Sequence, residues 1–221
     1  MTRILFQGDS ITDGGRLKPA ESRWDLNHQI GHSYVFPIVA ELGRKYPGKY
    51  TCINRGLSAD TVETIADRWQ SDTLDEHPDI LSMLLGINGG RAFEGKTPEE
   101  AEMLLQDFDR GYRALLDRAL EQNPELKLIL MEPFSTLGED FMAVLSRKQA
   151  IVREIAREYG AIFIPTQKRL EELVRATAPI LAVNGWEGDP AAYWLWDGVH
   201  PTEAFHGYLA ELWLAAAEPI L

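Results

Sequence analysis

Arg3-Ile4-Leu5-Phe6-Gln7-Gly8-Asp9-Ser10-Ile11-Thr12-Asp13 begins as a short apolar run and passes, without a linker, into a polar turn built around a glycine. The run is too short for a helix and is bounded by turn residues, so it reads as a strand over residues 3–7. Four further runs share that character, at residues 50–54, 80–85, 126–132 and 161–165. They are nearly continuous in Ile, Leu, Val and Met rather than alternating, as expected of parallel strands covered on both faces. Between them the apolar spacing becomes helical, as in Val35, Ile38, Val39 and Leu42, or Val152, Ile155, Ala156 and Tyr159. Thr97 followed by Pro98 predicts the start of a long helix ending near Asn123, and the chain from Pro201 onward predicts a last helix carrying Leu209, Leu212, Trp213 and Ala216. This alternation predicts an α/β fold, a doubly wound sheet of five parallel strands whose ligands bind beyond the carboxyl ends of the strands. Gly8-Asp9-Ser10, Arg55-Gly56 and Gly86-Ile87-Asn88-Gly89 follow the first three strands and are expected to meet at one rim.

Composition narrows the function. A chain of 221 residues fits a single domain, 1–221, and its 45% hydrophobic and 25% charged residues are ordinary globular values. Nothing approaches the run of about 18 apolar residues that a membrane span requires. The formal charge of −12 repels phosphate backbones and anionic lipid surfaces, which argues against nucleic-acid and membrane partners. Cys52 is the one cysteine, cannot form an internal disulfide, and reads as a small buried hydrophobe. The first strand leaves no room ahead of Ser10 for a signal peptide, so a cytoplasmic location is the expectation.

Four places can carry chemistry. Ser10 sits in an exposed turn just past the first strand, where its hydroxyl is open to attack a substrate if a base is at hand. Asp197-Gly198-Val199-His200-Pro201 offers that base, with a carboxylate three residues ahead to orient the imidazole. Acyl transfer further needs donors for a developing oxyanion, and Gly56 and Asn88 offer a backbone N–H and a side-chain amide after the second and third strands. Taken singly, each is ordinary turn chemistry.

Together, Gly8-Asp9-Ser10-Ile11-Thr12-Asp13, Asn54-Arg55-Gly56-Leu57-Ser58, Gly86-Ile87-Asn88 and Asp197-Gly198-Val199-His200-Pro201 resemble, in order and spacing, the four blocks of SGNH (GDSL-type) hydrolases. The resemblance spans nearly the whole chain. It implies the flavodoxin-like three-layer SGNH hydrolase fold, with Ser10 as nucleophile, His200 as general base and Asp197 as its partner. It also implies an oxyanion hole of the Ser10 N–H, the Gly56 N–H and the Asn88 amide, with no cofactor and no metal. Trp196, the stretch from Asn54 to Thr61 and the Arg68-Trp69 pair look most like bacterial acetyl-xylan esterases, which often assemble, so a homo-oligomer is expected. The third block of the family usually continues Asn-Asp. Here Gly89 follows Asn88, which predicts a loop short of the carboxylate that fixes it.

Competing motifs are absent. Residues 8–15 lack the Lys-Ser/Thr of a phosphate-binding loop, no Gly-x-Gly-x-x-Gly opens a helix, and neither His-Glu-x-x-His nor Gly-x-Ser-x-Gly occurs. His28, His32, His77 and His206 are scattered, as structural or solvated histidines are. Of the aromatics near the Asp and His, Trp186 and Trp194 read equally well as packing residues, whereas Trp196 adjoins Asp197 and is nominated to bind substrate. The expected activity is hydrolysis of small acyl esters, acetyl on carbohydrate first, through an acyl-Ser10 intermediate. A cytoplasmic enzyme would act on short imported oligosaccharides. A lipolytic esterase or thioesterase on the same triad remains open, as does a weakly active or non-catalytic carbohydrate-binding relative.

Overall fold

A computed structural model describes residues 1–18 and 26–221. In chain order its main elements are β1 (Thr2–Gly8), α1 (Ser10–Asp13), α2 (Val35–Lys45), β2 (Tyr50–Asn54), α3 (Val62–Trp69), β3 (Ile80–Leu84), α4 (Pro98–Gln122), β4 (Lys127–Met131), α5 (Glu139–Glu158), β5 (Ile162–Ile164), α6 (Gln167–Val183) and α7 (Glu203–Ala217). The five strands form one sheet in the order β2-β1-β3-β4-β5, every pair parallel. That is the flavodoxin-like order, whose switch point falls where β1 lies between β2 and β3.

Both faces of the sheet are covered, which is why the strands are apolar at successive positions. Ile4 and Phe6 of β1 point to the α2 and α7 side, against Ile38, Phe205 and Trp213. Leu5 points to the other side, with Ile65 and Trp69 of α3, Leu116 of α4 and Val152 of α5. Trp213 is fully buried, and its indole N–H donates to Ser82 Oγ of β3 at 2.9 Å. The long helix α4 starts as expected, Thr97 and Glu100 exchanging side-chain and backbone bonds around Pro98.

The ends of the elements differ from the expected ones for local reasons. β5 is cut to three residues, Ile162–Ile164, the ones that pair with β4. The last helix begins at Glu203 rather than Pro201, since Thr202 N–H donates to Trp194 O and Trp196 N–H to His200 O, at 2.9 and 3.1 Å. Those bonds fold residues 194–202 into a small hairpin closed by a Leu195–Pro201 bridge. Among the described residues, no helix is long and apolar enough to cross a membrane.

Candidate active site

Ser10 is presented by a turn that Asp9 and Gly8 shape together. Asp9 caps α1, its Oδ1 accepting the Ile11 N–H at 3.0 Å. Ser10 is the first residue of that short helix, so its own N–H has no intrahelical acceptor. Its Oγ lies 2.9 Å from His200 Nε2.

The hairpin brings His200 there. Ser135 Oγ and Thr136 N–H, from the segment after β4, both donate to Gly198 O, at 2.7 and 2.9 Å, and tie the hairpin tip to the rim. At that tip Asp197 Oδ2 lies 2.6 Å from His200 Nδ1, while Asp197 Oδ1 accepts the backbone N–H groups of Val199 and His200 at 3.0 and 2.7 Å. Partial burial pushes the Asp197 carboxyl up, but the His200 and Val199 donors outweigh it and hold it below the usual carboxylate range. An ionised Asp197 fixes the tautomer with the proton on Nδ1, leaving Nε2 as an acceptor for the Ser10 hydroxyl. Trp196 stacks on the imidazole, centroids 5.5 Å apart at 19°, and is itself 64% exposed.

The two candidate oxyanion donors are nearby but partly engaged. Gly56 packs so closely on α1 that a Cβ there would lie 2.5 Å from Asp13 N, which is why glycine stands at this position. Its N–H donates to Asn54 Oδ1 at 2.9 Å, a bond that the expectation of a free donor did not include. Asn88 donates one Nδ2 hydrogen to Asp60 O at 2.9 Å and keeps the other. Asp60 is fixed in turn by Arg68, whose Nε donates to its Oδ2 at 2.8 Å.

The loop carrying Asn88 is held from outside itself. Lys148 of α5 reaches in and donates from Nζ to Gly86 O at 3.2 Å and Asn88 O at 2.7 Å. Burial lowers its ammonium to about 8. Gly89 has φ +81°, a conformation open to glycine and strained for aspartate. In place of the family carboxylate, the loop takes a glycine geometry and is held by a lysine. Lys148 was missed, although its position offered a signal. It falls on the buried stripe of α5 with Leu145, Val152 and Ile155, where a lysine is out of place.

The other side chains singled out have structural settings. Ser58, of the second block, donates from Oγ to Asp13 Oδ2 at 2.9 Å. Trp194 is buried with its indole N–H on Thr177 Oγ1 at 3.1 Å, and Trp186 packs edge-on against Tyr193. His206 Nδ1 accepts the Tyr34 N–H, and burial lowers that imidazole to about 4. Cys52 is half-buried rather than fully buried, and desolvation still pushes its thiol up to about 11. Among the described residues, no three His, Cys, Asp or Glu side chains gather as metal ligands would. A cavity of about 1080 Å³ opens beside His200 and Asn88, lined by Phe93, Phe141 and Val199 with Glu94 and Asp140.

The profile of the GDSL-like lipase/acylhydrolase family matches residues 6–208. The chain belongs to this family. It is 31% identical over 218 residues to an acetylxylan esterase of Geobacillus stearothermophilus, covering 96% of this chain and 92% of that one. A solved variant of a Geobacillus stearothermophilus acetyl xylan esterase superposes with a TM-score of 0.77 at 30% identity, covering 97% and 94% of the two chains. A GDSL-like lipase from Parabacteroides merdae superposes at 0.82 with 28% identity, covering 98% and 95%. The fold is thus that of the GDSL/SGNH hydrolases, and the family makes this chain a serine esterase.

Two expectations follow from the geometry of this esterase. Gly89→Asp places a side chain at φ +81°, so it should destabilise the fold by roughly 1–3 kcal/mol and reduce turnover of an aryl acetate; urea unfolding and initial rates check both. Asp9 is buried with Oδ2 lacking a partner, and desolvation raises its carboxyl to about 7 against the pull of the Ile11 N–H and His200. The folded chain holds this proton to higher pH than the unfolded chain, so stability is lost as pH rises from about 4 to about 7. Asp9→Asn should remove that loss. Urea midpoints of the two proteins should diverge between about pH 4 and about pH 7, and parallel curves would show that Asp9 does not titrate in this range.

Proposed function

We propose that Ser10 is the nucleophile, His200 the general base and Asp197 its orienting partner in a metal-independent esterase that removes small acyl groups, acetyl foremost, from carbohydrate. The observation that carries this reading is the relay of contacts from Ser10 Oγ to His200 Nε2 at 2.9 Å and from His200 Nδ1 to Asp197 Oδ2 at 2.6 Å. As Oγ attacks the ester carbonyl, its proton passes to Nε2, and the imidazolium is stabilised by Asp197. The tetrahedral oxyanion is met by the Ser10 N–H and the remaining Asn88 amide hydrogen, with the Gly56 N–H joining by sharing its bond to Asn54. Collapse breaks the bond to the alcohol, which leaves with the proton from Nε2. Water then attacks acyl-Ser10 with His200 again accepting the proton, and the acid and free Ser10 are released.

Several features support a sugar as the alcohol. Trp196 offers an exposed ring beside His200, and the cavity joins aromatic rings to the Glu94 and Asp140 carboxylates, a pairing suited to sugar faces and hydroxyls. The Geobacillus relative is an acetylxylan esterase, and it has been solved as catalytic mutants in which a serine and an aspartate are each changed to alanine. The apolar part of the cavity, with Val144 and Leu145, favours the second reading, a longer acyl chain. The hold of Lys148 on the Asn88 loop supports an active enzyme over a weakly active or non-catalytic relative.

Ser10→Ala should abolish ester hydrolysis with the unfolding curve unchanged, and EDTA should leave the wild-type rate intact. Rates on acetylated xylo-oligosaccharides and on aryl acetate, butyrate and octanoate separate the two substrate readings. Acetyl esters should be preferred, and a steep rise with chain length would replace the carbohydrate reading by the lipolytic one.

A further inference from the structure

Lys148 is 5% exposed, and among the described residues no carboxylate forms an ion pair with it. Its Nζ lies instead over the rings of Phe93 and Phe108, 5.6 and 5.2 Å from their centroids. A buried ammonium with no direct ion pair, on which the Glu63 and Asp9 carboxylates act only through space, is a poor way to stabilise a core, where an apolar side chain of the same volume does as well or better. The two hydrogen bonds it makes both go to the β3–α4 loop, to Gly86 O and Asn88 O. At Asn88 they complete a clamp, because Asp60 O takes one hydrogen of the side chain while Lys148 takes the main-chain oxygen of the same residue. The second amide hydrogen is left with its direction fixed from both sides. Gly89 brings no side chain to this task, and its own carbonyl accepts only from Ala92 N–H, at 3.1 Å, among the described residues.

We propose that Lys148 is the positioning residue of the oxyanion loop, its ammonium holding Gly86 O and Asn88 O so that the free Asn88 hydrogen is aimed at the developing charge. This rests on the reading of Asn88 as an oxyanion donor. Lys148 does not touch substrate in this role; it acts through Asn88. A donor displaced by a fraction of an ångström loses much of its value in the transition state and little in ground-state binding, so the effect belongs in kcat rather than KM.

A double-mutant cycle with Lys148→Met and Asn88→Ala, measured on one acetyl ester, tests it. Lys148→Met should lower kcat by roughly 10- to 100-fold with KM within about threefold, and Asn88→Ala by roughly 10²- to 10³-fold. In the Asn88→Ala background, Lys148→Met should cost less than about threefold, because the group it aims is already gone. Lys148→Arg, which keeps a cation and its donors, should recover most of the lost kcat. If Lys148→Met does not fold, Lys148→Gln enters the same cycle. Equal losses in both backgrounds, or no loss in either, would overturn the proposal while leaving the Asn88 reading intact. An unchanged kcat in Asn88→Ala would overturn the Asn88 reading itself, and this proposal with it.

Discussion

The contact between Ser10 Oγ and His200 Nε2 joins side chains 190 positions apart, and no local structure could bring them within 2.9 Å. It depends on the register of the sheet. β1 pairs with both β2 and β3 in parallel, so the turns after all three strands leave the same edge. The hairpin of residues 194–202 is then laid across that edge by the loop after β4, through Gly198 O. A shift of one residue in β1 would turn Ile4 and Phe6 away from the α2 and α7 face and disrupt both cores, so the packing that stabilises the fold also fixes where Ser10 stands.

Around this contact the loops support one another rather than standing alone. Asn54 donates to Thr12 O and Ile30 O while accepting from Gly56 N–H, which locks the post-β2 turn onto α1. Arg68 spans Asp60, Asp72, Arg55 O and Gln7 Oε1, joining β1, α3 and the turn that carries Asp60. Asp60 O then holds Asn88. Asn88 is thus positioned by a residue on another loop, and the turn carrying Gly56 is tied to α1 through Asn54, which is what pre-organisation of an oxyanion site requires.

This explains which parts were legible in the sequence. The five strands could be read because a strand covered on both faces is nearly continuous in apolar residues, and the rim followed because parallel strands end together. Ser10, Asp197 and His200 could be read because they stand in glycine-bearing turns, where a polar side chain has no packing duty. Bonds between loops leave no such trace. The Gly56 N–H is taken by Asn54 Oδ1, and neither residue type announces that pairing. Residues such as Asp60 and Arg68 look like surface charges until the fold brings them together.

Lys148 lies at the boundary between these cases. Burial lowers its ammonium to about 8, which corresponds to a charged form disfavoured by on the order of 3 kcal/mol relative to water. That cost is the net left with its two bonds to carbonyls in place, so the fold gains little from having lysine there. What changes is the order of the loop. With φ +81° at residue 89 the chain needs glycine, and glycine brings the greatest freedom to the segment that must aim Asn88. A fixed point supplied by Lys148 of α5, a helix of 20 residues, removes that freedom without a side chain at residue 89.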